Sequence, residues 1–278
     1  MRLAYYRMNN FQPMMNLKNA FSAALRLANL QVFGRKRRLI TILALAFPIM
    51  LAVLYWVYSP HSAAQAYPEA VAGIFTGILV PFLAIFWGSA LISDEVEGKT
   101  LVFLWTRPLG RIPLFLFKFV IVVFYLTLLV AVSVAAVFAL MYGGGGGRAV
   151  ADNLVIAGYD VSALTLGGLA YAAFAFFLAA MLKKPLVIGL FYVFTWDGFA
   201  QFLPGYLKLF SIRHYIFVLS SRPQANQPEG FLRFLGENTT TEAQALITLL
   251  CVTIVFLSLG CVLLRNREFL GDDPARSQ

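Results

Sequence analysis

The sequence predicts an all-α polytopic membrane protein, with six transmembrane helices behind an N-terminal cytoplasmic amphipathic helix. Three observations predict it. First, 60% of the 278 residues are hydrophobic and only 13% are charged, with a mean hydropathy of +0.76, whereas about a quarter of the residues of a soluble domain are charged. Second, six apolar segments come close to or exceed the ~20 residues a helix needs to cross the hydrocarbon core. Third, the Lys and Arg residues are distributed unequally between the loops on the two sides. The net charge of +9 would suggest nucleic-acid binding in a soluble protein. Here the basic residues border apolar spans, so the membrane surface accounts for them and no nucleic-acid partner is expected.

Residues 1–38 are read as a cytoplasmic amphipathic and basic segment. They hold eight of the 22 Lys and Arg residues. Leu17, Phe21, Ala24, Leu25, Ala28 and Val32 share one helical face, and Lys18, Ser22, Arg26 and Asn29 share another. That pattern suits a helix lying in the interface and ending at Gly34, with a disordered basic tail as the competing reading. The segment is polar and basic without a short apolar core, so no cleavable signal peptide is expected.

Residues 39–265 form the permeation-sized domain. The expected spans are 39–58, 71–92, 119–141, 161–182, 186–203 and 245–264, and residues 266–278 form a tail. Pro48 and Pro81 fall inside the first two spans and should distort them. The side holding both termini carries 17 basic residues and the other side five. Both termini, the 93–112 loop and Lys183-Lys184 are therefore expected to be cytoplasmic. Lys118, at the start of the third span, should snorkel to that interface. On the opposite side, 59–70 is a short loop, the five glycines 143–147 should be mobile, and 204–242 is the long external segment. Its first part, 205–220, mixes aromatic and aliphatic residues with Lys208, Arg213 and His214, which suits a short helix or a re-entrant segment.

The 93–112 loop is the chain's most informative stretch. Asp94, Glu95 and Glu97 are three of only 13 acidic residues, crowded into four positions. Basic Lys99, Arg107 and Arg111 follow. Leu101, Val102, Leu104 and Trp105 lie between them as an apolar stripe at helical spacing. On polarity alone this is an ordinary hydrophilic loop. The stripe makes it an amphipathic element at a membrane surface, able to receive another protein. Gly98-Lys99-Thr100 matches the tail of a phosphate-binding loop, but that motif needs a glycine at 93, which is Ser, and a preceding strand. No nucleotide site is expected in this chain.

The order Glu97-Gly98-x-Thr100-Leu101, then an apolar run, then Arg107-Pro108-x-x-Arg111, resembles the cytoplasmic loop of type-2 ABC export permeases. The span count and order of loops extend the likeness over most of the chain. Lys183-Lys184-Pro185 and Ser211-Ile-Arg-His-Tyr215 are similar to the small members without a large extracellular domain. The resemblance implies a non-catalytic permease subunit in the plasma membrane. It implies two permease chains, as a homodimer or heterodimer, and two ATP-binding subunits that hold the ATP and Mg. It also implies that Asp94, Glu95, Glu97, Gly98, Thr100, Arg107, Pro108 and Arg111 contact the ATPase. A membrane scaffold that moves nothing and an ion-driven carrier are the alternatives. The carrier is disfavoured because Asp197 is the only acidic residue expected deep in a span.

Asp197 is also the candidate for the translocation path, with Trp196 beside it. An intramembrane carboxylate generally faces a cavity or a partner. Lying near the outer end of a short span, it could equally be wet, and the sequence leaves both readings open. Arg213 and Lys208 are its nearest basic candidates. Cys251 and Cys261 are ten residues apart on one helix, ~15 Å and too far to bridge. With His61 and His214 the only histidines, no metal site is expected.

Overall fold

The structure is a computed structural model that describes residues 35–58, 63–97, 111–143, 146–200, 205–220 and 240–266. The N-terminal amphipathic helix expected before Gly34 lies outside them. The described residues are almost wholly helical and contain no strand. This is one of the two ways a chain can satisfy its backbone groups inside a bilayer.

Helix α1 is Arg35–Tyr58 and contains Pro48. Helix α2 occupies residues 63–97 as three continuous pieces: α-helical Ala63–Ala70, π-helical Val71–Leu79 and α-helical Val80–Glu97. The distortion expected at Pro81 takes the form of the π-helical stretch. Proline lacks the N–H that would close an α-turn and its ring crowds the carbonyl four residues back, here that of Gly77. Residues 63–70 of the short loop expected over 59–70 are therefore helix, because Ala63–Ala70 continues into the span.

Helix α3 is Arg111–Tyr142 and α4 is Gly146–Met181, of 32 and 36 residues. At 36 residues α4 is ~54 Å long, well beyond the ~30 Å hydrocarbon core. The glycine run is correspondingly shorter as a loop than expected: Gly146 and Gly147 already belong to α4. Glycine is costly in a helix interior but cheap at its end, and Arg148-Ala-Val-Ala carries the helix onward.

Helix α5 is Pro185–Ala200, again with a π-helical stretch, Tyr192–Asp197. A 3₁₀ turn at Gly205–Phe210 leads to the short helix α6, Ile212–Leu219, and α7 is Glu242–Asn266. Four helical stretches are long and apolar enough to cross a membrane: Tyr67–Leu91, Ile112–Tyr142, Val150–Met181 and Glu242–Arg265. Two shorter apolar stretches are Leu39–Leu54 and Pro185–Ala200.

α4 is the centre of the bundle, with α2, α3, α6 and α7 all packed on it. Its inward positions are small: Gly167, Gly168, Ala172, Ala175 and Ala179 are buried. Between helices in lipid there is little hydrophobic drive, so close van der Waals approach does the holding. A Cβ on Gly168 would come 2.7 Å from Leu126 of α3, and one on Gly88 of α2 would come 2.7 Å from Ala175. Phe176 fills the α3 side with edge-on contacts to Phe115 and Phe119 at 5.2 and 5.4 Å. Outward faces are apolar and exposed: Val120, Phe124 and Leu128 on α3, and Ile247, Ile254 and Val262 on α7. These are the surfaces that lipid covers.

Candidate functional site

The site begins with Ser211, which separates the 3₁₀ turn from α6. Its side chain caps α6 by accepting the backbone N–H of His214 at 3.4 Å, the preferred role of serine at a helix start. The helix it starts is not laid over the surface. Ile212, His214, Tyr215 and Ile216 are buried, and α6 is packed among α4, α7 and the π-helical stretch of α2. Ile216 occupies the notch left by Gly167, where any Cβ would overlap it. The short helix expected within 205–220 is therefore present, seated inside the bundle.

Asp197 meets it from α5. The residue is 1% exposed, so the wet position left open by the sequence is excluded. Its carboxylate accepts hydrogen bonds from the Tyr171 hydroxyl of α4, the Ser211 hydroxyl at 2.5 Å and the Arg213 backbone N–H at 3.4 Å. Three elements thus share one carboxylate: α4, α5 and the start of α6. The partner expected from 205–220 is found, but the direct donors are a serine hydroxyl and a backbone amide. The Arg213 side chain reaches toward α2. Its guanidinium donates to the Ala72 carbonyl at 3.5 Å, lies over the Phe217 ring at 5.4 Å and fills the space beside Gly77. The start of α6 is pinned to α5 through Asp197 and to α2 through Arg213.

Trp196 and Asp197 part company. Trp196 is 37% exposed and lines a cavity of about 370 Å³ between α5, the 3₁₀ turn, α6 and α7. The pair therefore belongs to two different surroundings.

Tyr171 was invisible in the sequence, because a tyrosine at an apolar span position reads as packing until a carboxylate is placed against it. Asp160 was missed too. It stands at the edge of the expected fourth span, yet it is 1% exposed and inside the apolar stretch Val150–Met181. Asp197 is not the only buried carboxylate, and the argument against an ion-driven carrier from that count fails.

Of the residues expected to contact an ATPase, Asp94, Glu95 and Glu97 end α2 and Arg111 begins α3. Gly98, Thr100, Arg107 and Pro108 lie outside the described residues. The two helices that frame the loop are tied together by Lys118 of α3, whose ammonium donates to the Leu91 carbonyl of α2 at 3.0 Å. Lys118 is 5% exposed and so does not snorkel. It turns inward to a carbonyl of α2, six residues before that helix ends at Glu97. From Asp94 to Ala72, where Arg213 docks, is 22 residues of helix, ~33 Å. One helix joins the loop to the pinned start of α6. Among the described residues no group of three or more His, Cys, Asp and Glu residues could hold a metal.

The bundle, with several helices long and apolar enough to cross a bilayer, is that of a multi-pass membrane protein. The particular family is shown by comparison: the model of the ABC-2 family transporter protein matches residues 1–269. The chain belongs to that family and is an ABC transporter permease. No curated protein matches it.

Proposed function

We propose that the chain is the permease subunit of an ATP-binding-cassette exporter that forms the translocation path and is driven by a separate ATP-binding subunit docked on the 93–112 loop. The observation that carries this reading is the family match over 1–269, to which the charged, amphipathic loop adds the docking element. The continuity of α2 from the loop to Ala72 supplies a mechanical connection. In this reading two permease chains and two ATPase subunits assemble in the plasma membrane, and ATP and Mg stay in the partner. The shorter apolar helices 39–54 and 185–200 complete six spans. Asp197 shapes the outer part of the path by holding α6.

The test is reconstitution. The purified chain should not hydrolyse ATP alone and should stimulate hydrolysis when joined with its cognate cassette subunit. Truncating one member of a desolvated charge pair costs about 2–5 kcal/mol. Glu97→Ala and Arg107→Ala should therefore lower complex recovery and transport far more than Arg148→Ala, outside the loop. Hydrolysis by the chain alone would overturn the assignment, and equal small effects at all three positions would make 93–112 an ordinary loop.

Orientation is tested separately. Single cysteines at Gly145, Lys183 and Gln224, in a background lacking Cys251 and Cys261, are exposed to an impermeant thiol reagent. Labelling is expected at 145 and 224 and not at 183, from the 17-to-five division of basic residues. The reverse pattern would invert the topology.

A further inference from the structure

The cavity beside Trp196 has no role in holding α6, and its chemistry points to a ligand of its own. Its volume is about 370 Å³, at the small end of the ~300–1,000 Å³ range of ligand sites. Leu209, Ile212, Leu249, Val252 and Phe256 make half of the wall. Four lining residues carry side-chain polar groups, the Trp196 indole N–H and three hydroxyls, and the three hydroxyls already donate within the protein. Tyr192 donates to the Phe210 carbonyl at 3.4 Å, Tyr215 to the Leu209 carbonyl at 2.8 Å and Ser211 to Asp197. At ~30 Å³ per molecule the space would hold about a dozen waters, each needing two to four polar partners. One indole N–H and the remaining lone pairs of three hydroxyls fall well short of that.

The cavity opens among exposed apolar side chains. Phe210 on its rim is 71% exposed, and the faces that flank it expose Phe194 and Phe199 on α5 and Leu246 and Leu250 on α7. On α7, Phe256 and Val252 stand nine and 13 residues from Arg265, ~14 and ~20 Å along the helix. In the orientation proposed above both fall inside the ~30 Å hydrocarbon layer, Phe256 close to its middle and Val252 on the outer side of it. A site of this size takes one chain of an amphiphile and leaves the polar head outside.

We propose that this cavity binds a single hydrocarbon chain, supplied either by a bilayer lipid or by the acyl tail of an exported amphiphile. The proposal rests on the membrane reading and not on coupling to an ATPase, and its test contains neither ATPase nor ATP, so the two fail separately. The full chain is reconstituted in phosphatidylcholine vesicles containing a phosphatidylcholine whose acyl chain bears a diazirine. After illumination, adducts should concentrate on the segments carrying Tyr192, Trp196, Val252 and Phe256. Val252→Trp, which fills the cavity, should cut labelling there at least fivefold. Val255→Trp, on the 52% exposed position of the same helix, should leave it unchanged. Adducts spread evenly over the exposed faces of α3, α5 and α7 in the unsubstituted chain would overturn the proposal, even if Val252→Trp fails to fold. The source is read by adding excess lysophosphatidylcholine. Labelling that persists identifies a resident lipid chain, and labelling that is competed away identifies a site exchanging with free amphiphiles, as a cargo tail must.

Discussion

Asp197→Ala should remove most of the folded protein. The substitution deletes the one acceptor shared by the Tyr171 hydroxyl, the Ser211 hydroxyl and the Arg213 amide. Each buried donor left unsatisfied costs about 1–3 kcal/mol, which in total is a large part of a protein's usual stability margin. Asp197→Asn is milder. It keeps one carbonyl acceptor, and its NH₂ can be accommodated if a neighbouring hydroxyl turns to accept. It should fold in reduced yield, and the recovered fraction should transport abnormally because the start of α6 is held less firmly. Tyr171→Phe and Ser211→Ala each remove one donor and leave the carboxylate two, so each should cost less than Asp197→Ala. Yield and thermal stability in detergent, by size exclusion after heating, rank the series. A wild-type yield and transport rate for Asp197→Asn would remove the clasp from any account of function. If Ser211→Ala and Asp197→Asn had strictly additive effects, the two groups would not be acting on one another.

Gly167→Val should destabilise the bundle by about 1–3 kcal/mol, the usual cost of overpacking a filled interior. In most helices replacing glycine gains stability, since glycine is ~1 kcal/mol worse than alanine. Here the Cβ would overlap the side chain of Ile216, so α6 would have to lift away from α4 and loosen the clasp on Asp197. Ile216→Ala alone should cost about 2–5 kcal/mol by leaving a hole. Combined with Gly167→Val the loss should be much smaller than the sum, because the new methyls occupy the vacated space. Gly158, also in α4, has nothing within 4 Å of an added Cβ. Gly158→Ala should be neutral or raise the melting temperature slightly. Equal shifts at 158 and 167 would mean that α6 is not seated in the α4 notch.

The fold class was legible in the sequence because a bilayer imposes it: apolar runs of span length leave a chain few choices besides helices. Four of the expected spans fall on helical stretches long and apolar enough to cross a membrane, and the other two fall on shorter apolar helices. Their ends were not legible. α4 reaches back to Gly146 and α2 to Ala63, since helix propensity continues where hydrophobicity has stopped. The distortion expected at Pro81 is visible as a π-helical stretch, because proline acts locally, on its own turn.

The arrangement around Asp197 was decided only by the tertiary structure. Its partners come from 26 positions earlier and 14 and 16 positions later in the chain, and no periodicity relates residues on different helices. Tyr171 and Ser211 have ordinary neighbours in sequence and acquire their role by facing a carboxylate. Trp196 and Asp197 are adjacent in sequence, but successive residues of a helix face different directions, and one reaches the cavity and the other the clasp. Lys118 shows the same division: its charge at a span boundary suggested a side chain reaching for water, while the nearby Leu91 carbonyl of α2 draws it inward. Local chemistry determined which segments enter the membrane, and packing determined which of their few polar groups meet.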